Sequence, residues 1–89
     1  MTSSQVTISN KLGLHARAAA KLVGVASGYG ADVTIEKDGQ TVNGKSIMGV
    51  MMLAASRGTT LQLHVNGEGE EEAMDALTKL INDKFGEAE

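Results

Sequence analysis

Three segments of the chain alternate apolar and polar residues, and that alternation limits the fold more than any other feature. Residues 5–10 place Val6 and Ile8 on one side and Thr7 and Ser9 on the other. Asp32–Lys37 repeats the pattern through Val33 and Ile35, and Thr60–Asn66 turns Leu61, Leu63 and Val65 one way and Gln62, His64 and Asn66 the other. Strand side chains alternate with a period of two, so each segment reads as a strand with one dry face and one wet face. A sheet built from such strands is covered on one side only.

The cover is present in the sequence. Ala16, Ala19, Leu22, Val23 and Ala26 share one face of a helix predicted over Ala16–Ser27, which Gly28-Tyr29-Gly30 stops. Residues 70–85 form the strongest helix, with the stripe Ala73, Met74, Leu77, Leu80, Ile81 and Phe85. It opens on Glu70, Glu71 and Glu72 and carries Lys79 and Lys84 later, an order that complements the helix dipole. Between these lie Asp38-Gly39, a hairpin turn signal, a short returning strand at Gln40–Asn43, and an apolar helical segment at residues 47–54 that Ser46 is placed to cap. The order β-α-β-β-α-β-α predicts a two-layer α+β sandwich. At 89 residues, positions 1–89 are expected to form a single domain with one modest core.

Composition removes several function classes. The chain has no cysteine, so a disulfide scaffold, a thiolate metal site and thiol redox chemistry are excluded. Net charge is −3 and only Tyr29 and Phe85 are aromatic, which leaves neither the basic footprint nor the stacking platforms of a nucleic-acid binder. No apolar run approaches the length needed to span a bilayer, and the N-terminal residues show no signal-peptide pattern, so a cytoplasmic protein is expected. No metal site and no cofactor are expected: His15 and His64 have no further ligands at sensible spacing.

The residues that can carry chemistry centre on Gly13-Leu14-His15-Ala16-Arg17. His15 stands where loop gives way to helix, facing the free N–H groups and positive dipole end of a helix N-terminus. Such a place favours an anion such as phosphate and disfavours a protonated ring, which keeps a nucleophilic nitrogen available. Gly13 permits the sharp turn. Arg17 is unfavourable as a cation in a first helical turn unless an anion compensates it, and its planar guanidinium suits phosphate oxygens. The same residues also fit a plainer account, an incidental cap beside a solvated arginine.

With Ala19-Ala20 following, this motif resembles the active-site motif of the HPr phosphocarrier family of the bacterial phosphoenolpyruvate-dependent phosphotransferase system. Gly44-Lys45-Ser46-Ile47-Met48 is similar to the regulatory serine segment of that family, and spacing, length and element order agree over nearly the whole chain. The resemblance implies an open-faced β-sandwich, an antiparallel sheet in the order 1-4-2-3 with three helices on one face. It implies that His15 accepts a phosphoryl group on Nδ1 from phospho-enzyme I and passes it to IIA-type acceptor proteins. Arg17 and the backbone N–H groups of Ala16 and Arg17 would contact the phosphoryl group. Such a protein is a stoichiometric relay without turnover of its own, and an exposed, convex, pocket-free surface and a monomeric state are expected of it. Ala18 departs from the proline common after the motif arginine. It points to proteobacterial members, in which sugar uptake and a nitrogen-related regulatory branch are the two roles.

Three further features have competing accounts. Ser46 is either a helix cap or, as the resemblance implies, the target of a serine kinase and phosphatase. Ile47, Met48 and Met51 are either core or a soft docking face for partners. Gly39 through Ser46 matches the nucleotide-binding pattern G-x-x-x-x-G-K-S literally. Asp38-Gly39 reads better as a hairpin turn, and the strand at Thr60–Asn66 ends without an aspartate for magnesium, so nucleotide hydrolysis is rejected. His64 is expected to be a solvated residue of the wet face.

Overall fold

The computed structural model describes residues 1–89. Its elements are β1 (Thr2–Thr7), α1 (Ala16–Ser27), β2 (Asp32–Lys37), β3 (Gln40–Asn43), α2 (Ile47–Met52), β4 (Thr60–Asn66) and α3 (Glu70–Asn82), followed by a short turn at Lys84–Gly86. The four strands form one antiparallel sheet in the order β1-β4-β2-β3. Helix α3 lies on β1 and β4, and α1 packs against both α2 and α3. The three helices cover one face, as the alternation of the strands requires.

The inward residues of the strands are the ones the period of two selects. Val33, Ile35, Leu61, Leu63 and Val65 are all buried, and they meet Leu22, Ala26, Val50, Leu77 and Ile81 from the helices. Removing a side chain of the size of Leu or Ile from water contributes roughly 1.5–3 kcal/mol. With one phenylalanine in the cluster, the core rests on this aliphatic set.

Three boundaries and the buried face of one helix differ from the sequence expectation. The first strand runs over Thr2–Thr7 and not over residues 5–10, because pairing with β4 extends to Thr2 opposite Val65. Ile8 stays buried beyond the strand, its N–H donating to the Thr59 carbonyl. On α1 the buried set is Ala18, Ala19, Leu22 and Ala26, whereas Ala16, expected inward, is exposed. Helix α2 stops at Met52, short of residue 54. Helix α3 stops at Asn82 because Lys84 and Phe85 both take left-handed φ, 58° and 57°. That reversal drives Phe85 into the core instead of leaving it on the helix stripe, and the Lys21 ammonium donates to its carbonyl at 2.6 Å. Burial of the ring offsets the roughly 1–2 kcal/mol that each left-handed non-glycine residue costs.

The Asp38-Gly39 turn settles the phosphate-loop coincidence. Lys37 pairs with Gln40, so the loop has two residues, both with positive φ (50° and 84°). That is the hairpin turn with matching twist. Lys45, the lysine of the coincident pattern, donates to the Tyr29 carbonyl at 2.8 Å.

Candidate functional site

Residues 8–14 carry the chain from β1 to α1 and decide where His15 stands. Gly13 has φ +66°, and a Cβ there would lie 2.5 Å from the Ala55 carbonyl oxygen and 2.9 Å from Ser56 Cα. The loop is therefore pressed directly onto the backbone after α2, which only glycine allows. The Leu14 N–H donates to the same Ala55 carbonyl at 2.8 Å, and the Leu14 side chain is buried. Pinned on both sides, the chain delivers His15 to the N-cap of α1 in an extended conformation (φ −73°, ψ 176°).

His15 makes no side-chain cap. Its carbonyl accepts from the Ala19 N–H, so the N–H groups of Ala16, Arg17 and Ala18 precede the first helical bond and point out of the helix end. The expectation that the ring would face these donors is only half met, because the ring turns to the C-terminal segment. Nε2 hydrogen-bonds to Oε2 of Glu87, with the two side chains 28% and 19% exposed. Glu87 Oε1 accepts from Asn10 Nδ2 at 3.0 Å, and the same amide nitrogen donates to the Gly13 carbonyl at 2.8 Å. Asn10 is fully buried, and its Oδ1 has no protein partner.

Hydrogen bonds from His15 first and Asn10 second hold the Glu87 carboxyl below its ordinary value of 4.5, against a smaller opposing effect of desolvation. At neutral pH it is a carboxylate, which only accepts. The ring nitrogen that faces it therefore carries the hydrogen, and the lone pair of a neutral ring sits on Nδ1.

Arg17 is exposed in the first turn of α1. It lines an open groove of about 820 Å³ with Lys11, Leu12, His15, Glu87 and Glu89. The expected pocket-free convex surface is corrected accordingly: the tail folds back and raises a second wall. Lys11 holds that wall, its N–H donating to the Glu89 carbonyl and its ammonium lying 3.7 Å from the Glu89 carboxylate. Arg17 and the two tail glutamates share the lining of this groove, and no carboxylate lies within ion-pair distance of the guanidinium.

The other predicted residues lie on α2. Ser46 is the N-cap, its Oγ accepting from the Gly49 N–H at 3.1 Å. Val50 is the buried residue of this helix, and Ile47, Met48, Met51 and Met52 are exposed, with Met48 at 76%. Leu12 is likewise exposed and lines the groove. His64 does face outward from the sheet, but it is half-buried and not simply solvated. Its Nδ1 pairs with Ser3 Oγ at 2.8 Å and its Nε2 with Glu36 at 3.4 Å.

Sequence reading missed Asn10, Lys11, Leu12, Glu87 and Glu89. The one usable signal among them is Asn10, a polar residue ending an alternating segment where an apolar one was due; nothing local marks the two glutamates.

The family model described as the PTS HPr component phosphorylation site matches residues 2–83. The chain is 57% identical over 90 residues to phosphocarrier protein HPr of Pseudomonas aeruginosa, covering 100% of both. It is 44% identical over 84 residues to phosphocarrier protein NPr of Shewanella violacea, covering 94% of this chain and 92% of that one. The crystal structure of HPr-C-His from Thermoanaerobacter tengcongensis superimposes with a TM-score of 0.96 at 47% identity, over 100% of both chains. An α-helix start with unclaimed N–H groups, a histidine at its cap and matches over the whole chain lead to one conclusion: this chain belongs to the HPr family of phosphocarrier proteins of the phosphotransferase system.

Proposed function

We propose that His15 is the phosphoryl-carrying residue, accepting the group on Nδ1 from phospho-enzyme I and passing it to IIA-type acceptors. The observation that carries the reading is the placement of His15: a half-exposed ring at an uncapped helix N-terminus, bonded through Nε2 and thereby left nucleophilic at Nδ1. The N–H groups of Ala16 and Arg17 and the Arg17 guanidinium are the natural ligands of the phosphoryl oxygens. The new N–P bond is made by the ring and later broken in favour of the acceptor, so the protein is a stoichiometric relay without independent turnover.

Exposed Ile47, Met48 and Met51 are the docking face, since flexible thioethers adapt to dissimilar partners. Ser46 is a regulatory site for a serine kinase and phosphatase; a phosphate there would add charge beside that face. We assign the chain to the cytoplasm as one carrier domain over residues 1–89, acting as a monomer; no helix in it is long and apolar enough to cross a membrane. Similarity both to HPr and to NPr leaves sugar uptake and the nitrogen-related branch as the two roles.

The test is intact mass after incubation with phosphoenolpyruvate and enzyme I, on wild type and His15→Ala. One acid-labile phosphoryl adduct, absent from the variant, is the expected result. An adduct of equal yield on His15→Ala sinks the assignment.

A further inference from the structure

We infer that Glu87 is a positioning residue for phosphoryl transfer: its carboxylate keeps the ring hydrogen on Nε2, leaves the lone pair on Nδ1, and faces the positive charge that the ring acquires. This deepens the carrier reading and rests on it.

A neutral imidazole has two tautomers, and only one of them places a lone pair on Nδ1. In water both are populated, the Nε2–H form in excess, and nothing fixes the ring in either. Here the carboxylate of Glu87 meets Nε2 and can only accept, which selects the Nε2–H form. The transfer step then balances without a base. The Nδ1 lone pair forms the N–P bond while the donor's N–P bond breaks, its electron pair returning to the donor nitrogen. No proton leaves the His15 ring, so the product is a phosphorylated imidazolium that keeps Nε2–H. Its positive charge sits against Glu87, and passing the group on reverses each change.

Glu87 is fixed for this task. Its second oxygen is tied to Asn10, whose amide nitrogen is tied in turn to Gly13 of the loop that carries His15. The tail that presents it is anchored on one side by buried Phe85 and the Lys21 bond, and on the other by the Lys11–Glu89 contacts. Deletion of the carboxylate should therefore change the electronic state of the ring and not the fold.

The experiment combines long-range ¹H–¹⁵N NMR of the His15 ring with phosphoryl acceptance from phospho-enzyme I, on wild type, Glu87→Ala and Glu87→Gln. In wild type the neutral ring is the Nε2–H tautomer. In Glu87→Ala the Nδ1–H form grows, and acceptance at saturating phospho-enzyme I slows about tenfold, the effect of losing one charge-assisted hydrogen bond, with the half-saturating concentration unchanged. In Glu87→Gln the amide oxygen still accepts, so the tautomer is retained and the loss of rate is smaller. An unchanged tautomer in Glu87→Ala, or an unchanged rate, overturns the proposal. Wild type that accepts no phosphoryl group would instead overturn the carrier reading, while the NMR arm still reports on Glu87.

Discussion

Replacing Gly13 with alanine should be the most damaging single-methyl change in the loop before His15, and the structure separates its causes. The first cause is conformational: an alanine at φ +66° sits in the left-handed region, at roughly 1–2 kcal/mol. The second is contact. The added Cβ would lie 2.5 Å from the Ala55 oxygen, and the obstacle is backbone, not a side chain that can swing away. The loop or the segment after α2 must give way, and the Leu14 N–H bond to the same oxygen, now 2.8 Å, lies in the path. Weakening a buried backbone bond adds about 1–3 kcal/mol, so the total is about 2–5 kcal/mol. That is a large part of the roughly 5–10 kcal/mol a domain of this size has. Gly39→Ala is the internal control: φ is +84°, but nothing lies within 4 Å of the new Cβ, so it carries the conformational cost alone. Urea unfolding followed by circular dichroism measures both, with the midpoint shifting and the slope constant. If Gly13→Ala costs no more than Gly39→Ala, close approach of the loop is not what fixes it, and the account of how His15 is placed is wrong.

Two further outcomes follow from the geometry. Ser46→Ala removes the oxygen that accepts from Gly49 and should cost about 1 kcal/mol, which for a domain of this size is a fall in Tm of roughly 4–8 °C by thermal denaturation; an unchanged Tm would mean that α2 does not depend on its cap. The Glu87 carboxyl is held below 4.5 in the folded protein by His15 and Asn10. A depressed carboxyl gives its full stabilisation above the unfolded value and loses it as pH falls through the folded value. Wild type should therefore lose stability relative to Glu87→Gln only below about pH 4.5, and parallel stability curves through that range would contradict the hydrogen bonds described.

Most of the scaffold was legible because it follows local rules. β2, β3 and β4 end where their alternation ends, and α1 spans the predicted Ala16–Ser27. The turn residues Asp38-Gly39 specified a two-residue hairpin strongly enough to outweigh a literal nucleotide-binding pattern. Where the expectation slipped, tertiary pairing overrode local pattern. β1 extends to Thr2 because β4 offers a partner there, and Ala18 is buried in place of Ala16 because the apolar stripe of α1 begins one turn inside the helix. The 1-4-2-3 strand order was never readable from alternation, which fixes faces and not neighbours; it came from the family resemblance.

The site shows the same division more sharply. His15 and Arg17 could be singled out because a loop-to-helix junction is visible in sequence and its electrostatics are general. Glu87 could not, because its contact with His15 spans 72 positions and depends on a turn that sequence rules disfavour. Periodicity continues α3 through Phe85, and non-glycine residues such as Lys84 and Phe85 are poor candidates for left-handed φ. Only the room for a phenylalanine under α1 and α3 reverses the chain, and only that reversal sends residues 87–89 back across the groove. The core residue Phe85 and the charge on Glu87 are thus one device: packing aims the carboxylate, and the carboxylate sets which nitrogen of His15 is free. In the proposed relay, Nδ1 needs a free lone pair before it attacks and again once the phosphoryl group has left. A fixed acceptor on the opposite nitrogen provides it without a base that would have to be reset between partners.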